Sequence, residues 1–153
     1  MVALQRLRNG AILWIPGFDP AAAEQKVMAR FSAEPKFNPP AGLLGEWSGT
    51  VRTYDRKTTP IKLTVKSDDV HVMVASGLVP LWTVLNGASF EKGMLAGNLL
   101  VDVPTEDARR HPHFGMLSLW LGDGKLRGSL GAVWLTQPPG GVMSSSVELT
   151  PVK

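Results

Sequence analysis

From Leu43 to the C-terminus, apolar residues recur at every second position, and this period constrains the fold more than any other feature of the chain. The runs Ile61–Val65 and Leu117–Leu121 show it most clearly, because polar and apolar residues alternate in them almost without interruption. A strand directs successive side chains to opposite faces of a sheet, so each run has one apolar face. Antiparallel strands that cover a core on one side have this pattern.

Short turn motifs separate these runs. They are Ser67-Asp68-Asp69, Asn86-Gly87, Lys92-Gly93, Gly122-Asp123-Gly124 and Pro138-Pro139-Gly140-Gly141. Strands joined by tight turns pair in sequence order, and closing such a meander removes the exposed sheet edges. No helical period follows Phe31. The pattern predicts a mainly β fold, an antiparallel up-and-down barrel of about eight or nine strands.

The chain before the barrel has a different organisation. Asn9-Gly10 separates two short apolar runs and predicts a hairpin, because both residues tolerate positive φ. Asp19-Pro20 is a good helix start and predicts one α-helix over "DPAAAEQKVMARF". We therefore divide the chain into residues 1–32 with strands and a helix, a Pro-rich linker or strap at 33–42, and a β-barrel domain at 43–153.

Composition narrows the class of protein. The 153 residues are 44% hydrophobic and 19% charged, which is typical of a globular domain with a core of its own. Cysteine is absent, which leaves the compartment open, and the lack of an evident signal peptide favours a cytoplasmic location. The net charge is +3 without a long basic run, so nucleic acid is not indicated as a partner. No apolar run approaches the ~20 residues of a membrane span.

One motif suggests a serine nucleophile. Ser89-Phe90-Glu91-Lys92 fits S-x-x-K, in which the serine opens a helix and the lysine reaches its hydroxyl one turn later. Here Gly93 follows directly and strand-like runs lie on both sides, so Ser89 and Lys92 are expected on opposite faces. We interpret the match as chance, and predict no catalytic residue and no cofactor.

The polar segment from Pro104 to His113 is the longest connection. His111 and His113 suggest a metal site together with His71, but adjacent arginines repel a cation and no carboxylate spacing completes the ligand set, so no metal is predicted. The charges of Glu106–Arg110 indicate a solvated loop with weak surface ion pairs, or alternatively a lid over a barrel mouth.

The tryptophans allow two interpretations. Trp47, Trp82 and Trp134, with Arg127, are candidate ligand-binding residues if the barrel keeps a pocket for a small apolar molecule. The alternative, which we favour, is that aromatic side chains simply fill the core.

A second candidate site is an outward face of one strand. Trp120 alternates with the leucines of its run, and it shares this other face with Phe114 and Met116. An apolar patch on the outside of a barrel predicts contact with a partner protein.

Gly45-Glu46-Trp47 opens the first barrel strand, and the segment "GKLRG" (124–128) opens a late one. With the repeated hairpins, these motifs resemble the calycin, or lipocalin-like, barrel. The resemblance implies that Trp47 closes the narrow end of the barrel and that Arg127 lies near it.

A wider resemblance covers nearly the whole chain. The strand "AILWIPG", the helix, the Pro-rich link and then "LLGEWSGTV" and "GKLRGSL" are similar to the C-terminal tail of some β-lactamase-related serine hydrolases. Such tails consist of a last strand and helix followed by a small lipocalin-like barrel. The resemblance implies a non-catalytic accessory or interaction domain that packs on a hydrolase-like domain. The alternatives are a barrel that binds a small hydrophobic ligand and, least favoured, an enzyme.

Overall fold

The computed structural model describes residues 2–6, 12–16, 22, 25, 37–76, 81–134 and 144–153. The chain divides into two compact units, Met1–Pro35 and Lys36–Lys153. In the described ranges, no helix has the length and apolar character that a membrane span requires.

The first unit contains a two-stranded antiparallel sheet. Strand β1 (Val2–Arg6) pairs with β2 (Ile12–Pro16), so that Val2 lies opposite Pro16. This pairing confirms the predicted N-terminal hairpin. The predicted helix over residues 19–31 lies outside the described residues except for Ala22 and Gln25, which are both helical.

The second unit is a nine-stranded sheet in which every pair of neighbouring strands is antiparallel. Its strands are β3 (Gly45–Arg52), β4 (Thr58–Val65), β5 (Val70–Val74), β6 (Trp82–Val84), β7 (Asn86–Glu91), β8 (Met94–Leu99), β9 (His113–Gly122), β10 (Lys125–Trp134) and β11 (Ser145–Pro151). The order across the sheet is β6-β5-β4-β3-β11-β10-β9-β8-β7. The sheet curls into a nearly closed barrel, which confirms the predicted fold class and is consistent with a lipocalin-like fold.

The barrel closes through one bent segment, residues 82–91. Its first part, β6, pairs with β5, and its second part, β7, pairs with β8, so the same stretch of chain forms both edges of the sheet. Between the two parts, Leu85 is buried and donates its amide to the Val70 carbonyl at 2.8 Å. Asn86-Gly87, predicted as a turn, instead starts β7, where the positive φ of Gly87 (62°) bends the chain without reversing it.

A short helix interrupts the longest connection. Helix α1 (Glu106–Arg109) is a single turn. Four residues are too few to show a helical period in the sequence, so this helix agrees with the absence of such a period after Phe31. A 3-10 turn, η1 (Ala41–Leu43), precedes β3.

Aliphatic side chains fill the inside of the barrel. The largest fully buried ones are Leu43, Ile61, Leu63, Leu85, Leu95, Leu99, Leu117, Leu119, Leu126, Leu130, Leu149 and Val51. All but Leu43 and Leu85 come from the inward positions of strands, as the period of two predicts. Each buried leucine or isoleucine contributes roughly 1.5–3 kcal/mol relative to an exposed one, so the interior is the main source of stability.

Two glycines let neighbouring strands pass very close to each other. A Cβ atom added at Gly49 would lie 1.9 Å from the Glu148 carbonyl oxygen, and one at Gly128 would lie 1.9 Å from the Ser118 carbonyl oxygen. No side chain fits at such distances, so these positions require glycine.

The two ends of the barrel differ. At the tight-turn end, short turns join β4 to β5, β7 to β8 and β9 to β10. Two of these turns place Lys92-Gly93 and Asp123-Gly124 at positive φ, the geometry of a two-residue hairpin turn. At the opposite, long-connection end, residues 53–57 join β3 to β4, and residues 100–112 with α1 join β8 to β9.

Candidate functional site

Trp47 is buried near the tight-turn end of the barrel. Its side chain points into the barrel from β3 and is 3% exposed. The indole Nε1–H donates to the carbonyl oxygen of Leu43 at 2.9 Å, which ties the ring to η1. The buried indole is thus both packed and hydrogen-bonded, as a buried tryptophan needs to be.

Two of the predicted ligand-binding residues lie on the outside of the barrel. Trp82 is 49% exposed on β6 and lies opposite Met73 of β5. Arg127 lies on the outer face of β10, where its Nε donates to Oε2 of Glu148 at 2.8 Å. The structure therefore does not bring Arg127 onto the indole of Trp47, because the two side chains are on opposite faces of the sheet.

Trp134 ends β10 at the long-connection end. Its ring lies against the imidazole of His111, with the ring centroids 4.3 Å apart and the planes inclined by 44°. Its Nε1 atom is buried, and no acceptor for it is found among the described residues. Trp47, Trp82, Trp134 and Arg127 thus occupy four separate places, and ligand binding by them stays a prediction.

Phe114, Met116 and Trp120, which we call the β9 patch, project outward from one strand. Met116 is 48% exposed and Trp120 54% exposed, whereas Leu117 and Leu119 between them are buried. The strand alternates because its inner face packs on the core and its outer face does not.

The residues beside the β9 patch on neighbouring strands differ in size, so the surface there is uneven. Trp120 lies between Met94 of β8 and Arg127 of β10. Ser118, which separates the two large side chains, has only Ala96 and Ser129 beside it. The small residues leave a shallow depression of about 310 Å³ beside Met116. The surface thus alternates large apolar projections with a depression, a shape that a protein partner can fill.

Charged side chains border the β9 patch on β10 and β11. Glu148 accepts from Arg127 and from Lys125, whose Nζ lies 3.1 Å from Oε1. The hydrogen bond from Arg127, followed by that from Lys125, lowers the pKa of Glu148 below its ordinary value. This carboxylate stays charged at neutral pH and keeps the border polar.

A second surface feature lies at the long-connection end. An open cavity of about 610 Å³, which we call the loop cavity, is lined by Val101, Asp102, Arg109, Arg110, His111, Pro112 and His113. Helix α1 and the residues after it supply most of this lining. The arginine and histidine side chains are the ones that the sequence placed in a charged connection.

His113 fixes the shape of the loop cavity. The Val103 amide donates to Nε2 of His113 at 3.1 Å, so the ring proton is on Nδ1, which donates to the His111 carbonyl 2.8 Å away. Both ring nitrogens are therefore used within the connection. Among the described residues, no group of three or more His, Asp or Glu side chains is arranged to hold a metal ion.

The S-x-x-K segment is not helical. Ser89 is in β7, and Lys92 is in the following turn with φ of 50°. The backbone that a serine–lysine pair requires is absent from this segment, in agreement with its interpretation as a chance match.

No protein-family model, curated protein or solved structure matches this chain. The resemblance to β-lactamase-related hydrolases therefore rests on the sequence motifs alone.

Proposed function

We propose that this chain is a non-catalytic, lipocalin-like interaction module that binds a partner protein through the β9 patch. The observation that carries the proposal is the contrast along β9, in which Leu117 and Leu119 are buried while Met116 and Trp120 are about half exposed. Large apolar side chains that are exposed together on one face mark a candidate surface for protein contact.

The composition of the patch supports protein binding. Tryptophan and methionine are enriched in the cores of protein interfaces, and tryptophan is frequent among the residues that dominate binding energy. The ion pairs of Glu148 with Lys125 and Arg127 border the patch. An apolar centre with a polar rim is the usual organisation of an interface.

The resemblance to hydrolase tails supplies the class of partner. We propose a β-lactamase-related catalytic domain, which carries the S-x-x-K serine and lysine on its own helix. In this arrangement the barrel stabilises or positions the catalytic domain and takes no part in the chemical step.

The test is a binding measurement with a β-lactamase-related S-x-x-K catalytic domain. Isothermal titration calorimetry should give saturable binding, and Trp120→Ser should weaken it at least tenfold, as expected for a tryptophan worth about 2 kcal/mol or more at an interface. Leu81→Ser is the matched control, because Leu81 is an exposed apolar residue (67%) outside the β9 patch. Absence of binding, or equal weakening by both substitutions, would sink the proposal.

The buried Nε1 atom of Trp134 favours a second candidate function, binding of a small hydrophobic ligand. A ligand with one hydrogen-bond acceptor would satisfy that atom while its apolar part packs on the ring. Native mass spectrometry of the chain purified from its host should then show a retained small molecule, and a single unliganded mass would rule this candidate out.

A further inference from the structure

We propose that the loop cavity binds the oxyanion of a small organic molecule, a carboxylate or a phosphate monoester, through Arg109, Arg110 and His111. This site goes beyond the proposed docking function, because it lies at the long-connection end and not on the β9 patch. The volume of about 610 Å³ is in the range of small-molecule sites.

The two guanidinium groups retain donors for a ligand. Nε of Arg109 is 3.5 Å from Oδ2 of Asp102, and Nη2 of Arg110 is 3.6 Å from Oε1 of Glu106. Both distances exceed the 2.7–3.2 Å of a normal N–H···O hydrogen bond. Both pairs are also on the surface, where such contacts are weak. A ligand oxyanion that approaches to about 2.8 Å makes the better partner.

Arginine fits this ligand class by geometry. The guanidinium is planar and presents paired N–H groups that match the two oxygens of a carboxylate or phosphate. Arg109 and Arg110 both line the cavity, and they outnumber its one carboxylate, Asp102. The lining therefore carries a net positive charge even with both histidines neutral.

Hydrogen bonds order the backbone that carries these side chains. The amides of Arg109, Arg110 and His111 donate to the carbonyl oxygens of Thr105, Asp107 and Ala108 at 3.2–3.3 Å. The imidazole of His113 ties the end of the connection to Val103. A backbone ordered in this way has less conformational entropy to lose when a ligand binds.

The organic part of the ligand has an apolar wall to contact. Val101 and Pro112 line the same cavity as the arginines. The His111 ring, which lies against the indole of Trp134 at a centroid distance of 4.3 Å, adds a further polar group to the cavity lining. The combination favours an organic acid with an apolar group over a bare inorganic anion.

The experiment titrates the full chain with benzoate, phenyl phosphate, inorganic phosphate and uncharged benzyl alcohol. Backbone amide shifts by NMR report the site, and calorimetry reports the affinity. We expect benzoate or phenyl phosphate to shift the amides of Arg109, Arg110 and His111, and to bind at least tenfold more tightly than benzyl alcohol. Added salt should weaken this binding.

Matched variants separate the site from general charge attraction. Arg109→Gln and Arg110→Gln should each weaken phenyl phosphate or benzoate binding about tenfold, the scale of a lost hydrogen bond to a charged group. Arg52→Gln removes the same charge from the outer face of β3 and should leave the affinity unchanged. Equal loss in all three variants overturns the proposal, as does benzyl alcohol that binds as well as benzoate.

The titrations with phenyl phosphate and benzoate distinguish the two ligand classes, phosphate monoesters and carboxylates. Preference for phenyl phosphate over benzoate assigns the site to phosphate monoesters, and the reverse assigns it to carboxylates. Inorganic phosphate that binds as tightly as both organic acids would contradict the role of Val101 and Pro112.

Discussion

The two ends of the barrel are built by different means. At the tight-turn end, two-residue turns and the buried indole of Trp47 close the structure with apolar contacts and backbone hydrogen bonds. At the long-connection end, ion pairs, a histidine with two backbone partners and a tilted His111–Trp134 ring pair lie around an open cavity. One end is therefore closed by buried apolar contacts, while the other exposes charged and polar side chains to solvent.

The largest expected effect is at the tight-turn end. Trp47→Ala removes a buried ring and its hydrogen bond to Leu43, so the free energy of unfolding should fall by about 3–5 kcal/mol. Urea denaturation measures this change. Trp82→Ala is the control, because Trp82 is half exposed and should lose about 1 kcal/mol or less. Similar losses in both variants would mean that Trp47 does not close this end.

A smaller effect is expected from His113 at the long-connection end. His113→Phe keeps a planar ring but leaves the Val103 amide and the His111 carbonyl without their partner, which should cost about 1–3 kcal/mol. Hydrogen exchange of the Val103 amide should accelerate along with the loss of stability. His71→Phe is the matched control, since the His71 imidazole lies 3.5 Å from the carboxylate of Asp69 and is far from the Val103 amide in the fold. Unchanged exchange at Val103 would contradict the assigned role of His113.

A near-zero effect on stability is expected from the pair of Arg110 and Glu106. Glu106→Gln removes an exposed i,i+4 contact of 3.6 Å and should change the free energy of unfolding by less than about 0.5 kcal/mol. If Glu106→Gln lowered the free energy of unfolding as much as His113→Phe does, the Arg110–Glu106 pair would stabilise the fold more than its length and exposure indicate.

The smallest expected effect is a pH dependence at Asp55, in the connection between β3 and β4. The hydrogen bond from the Thr53 hydroxyl, and next the contact with Lys57, lower the pKa of Asp55. Because the folded-state pKa is lowered, this group stabilises the fold above its unfolded-state pKa, and the contribution is lost as the pH falls through the folded-state value. Thr53→Val should raise the pKa of Asp55 towards its ordinary value, as measured by NMR titration. Thr53→Ser, which keeps the hydroxyl, should leave the pKa of Asp55 low. An unchanged pKa in Thr53→Val would show that the Thr53 hydroxyl does not cause the lowered value.

The local pattern was sufficient to predict several elements. The alternation in "LSLWL" placed Leu117, Leu119 and Trp120 on the faces where the structure has them, because the side-chain period of a strand is fixed by its backbone. The turns at Lys92-Gly93 and Asp123-Gly124 followed from residues that tolerate positive φ.

Other features depended on contacts between distant residues. The positive φ of Gly87 is compatible with a hairpin turn and also with a bend inside one segment. Only the pairing of β6 with β5 and of β7 with β8 shows that the segment is bent and not a hairpin. The loop cavity was also beyond sequence reasoning. Its charged residues were visible as a cluster, but their common orientation depends on the hydrogen bond between Val103 and His113, ten residues apart.

By itself, the sequence determined the strands, their inner and outer faces and the antiparallel barrel, because these follow from local backbone geometry and a period of two. Only the tertiary structure decided how the barrel closes, and that Trp47 is enclosed while Trp82 and Arg127 lie outside. The physical reason is that the register between strands and the approach of loops from different parts of the chain set which side chains share a surface, and no local pattern encodes them.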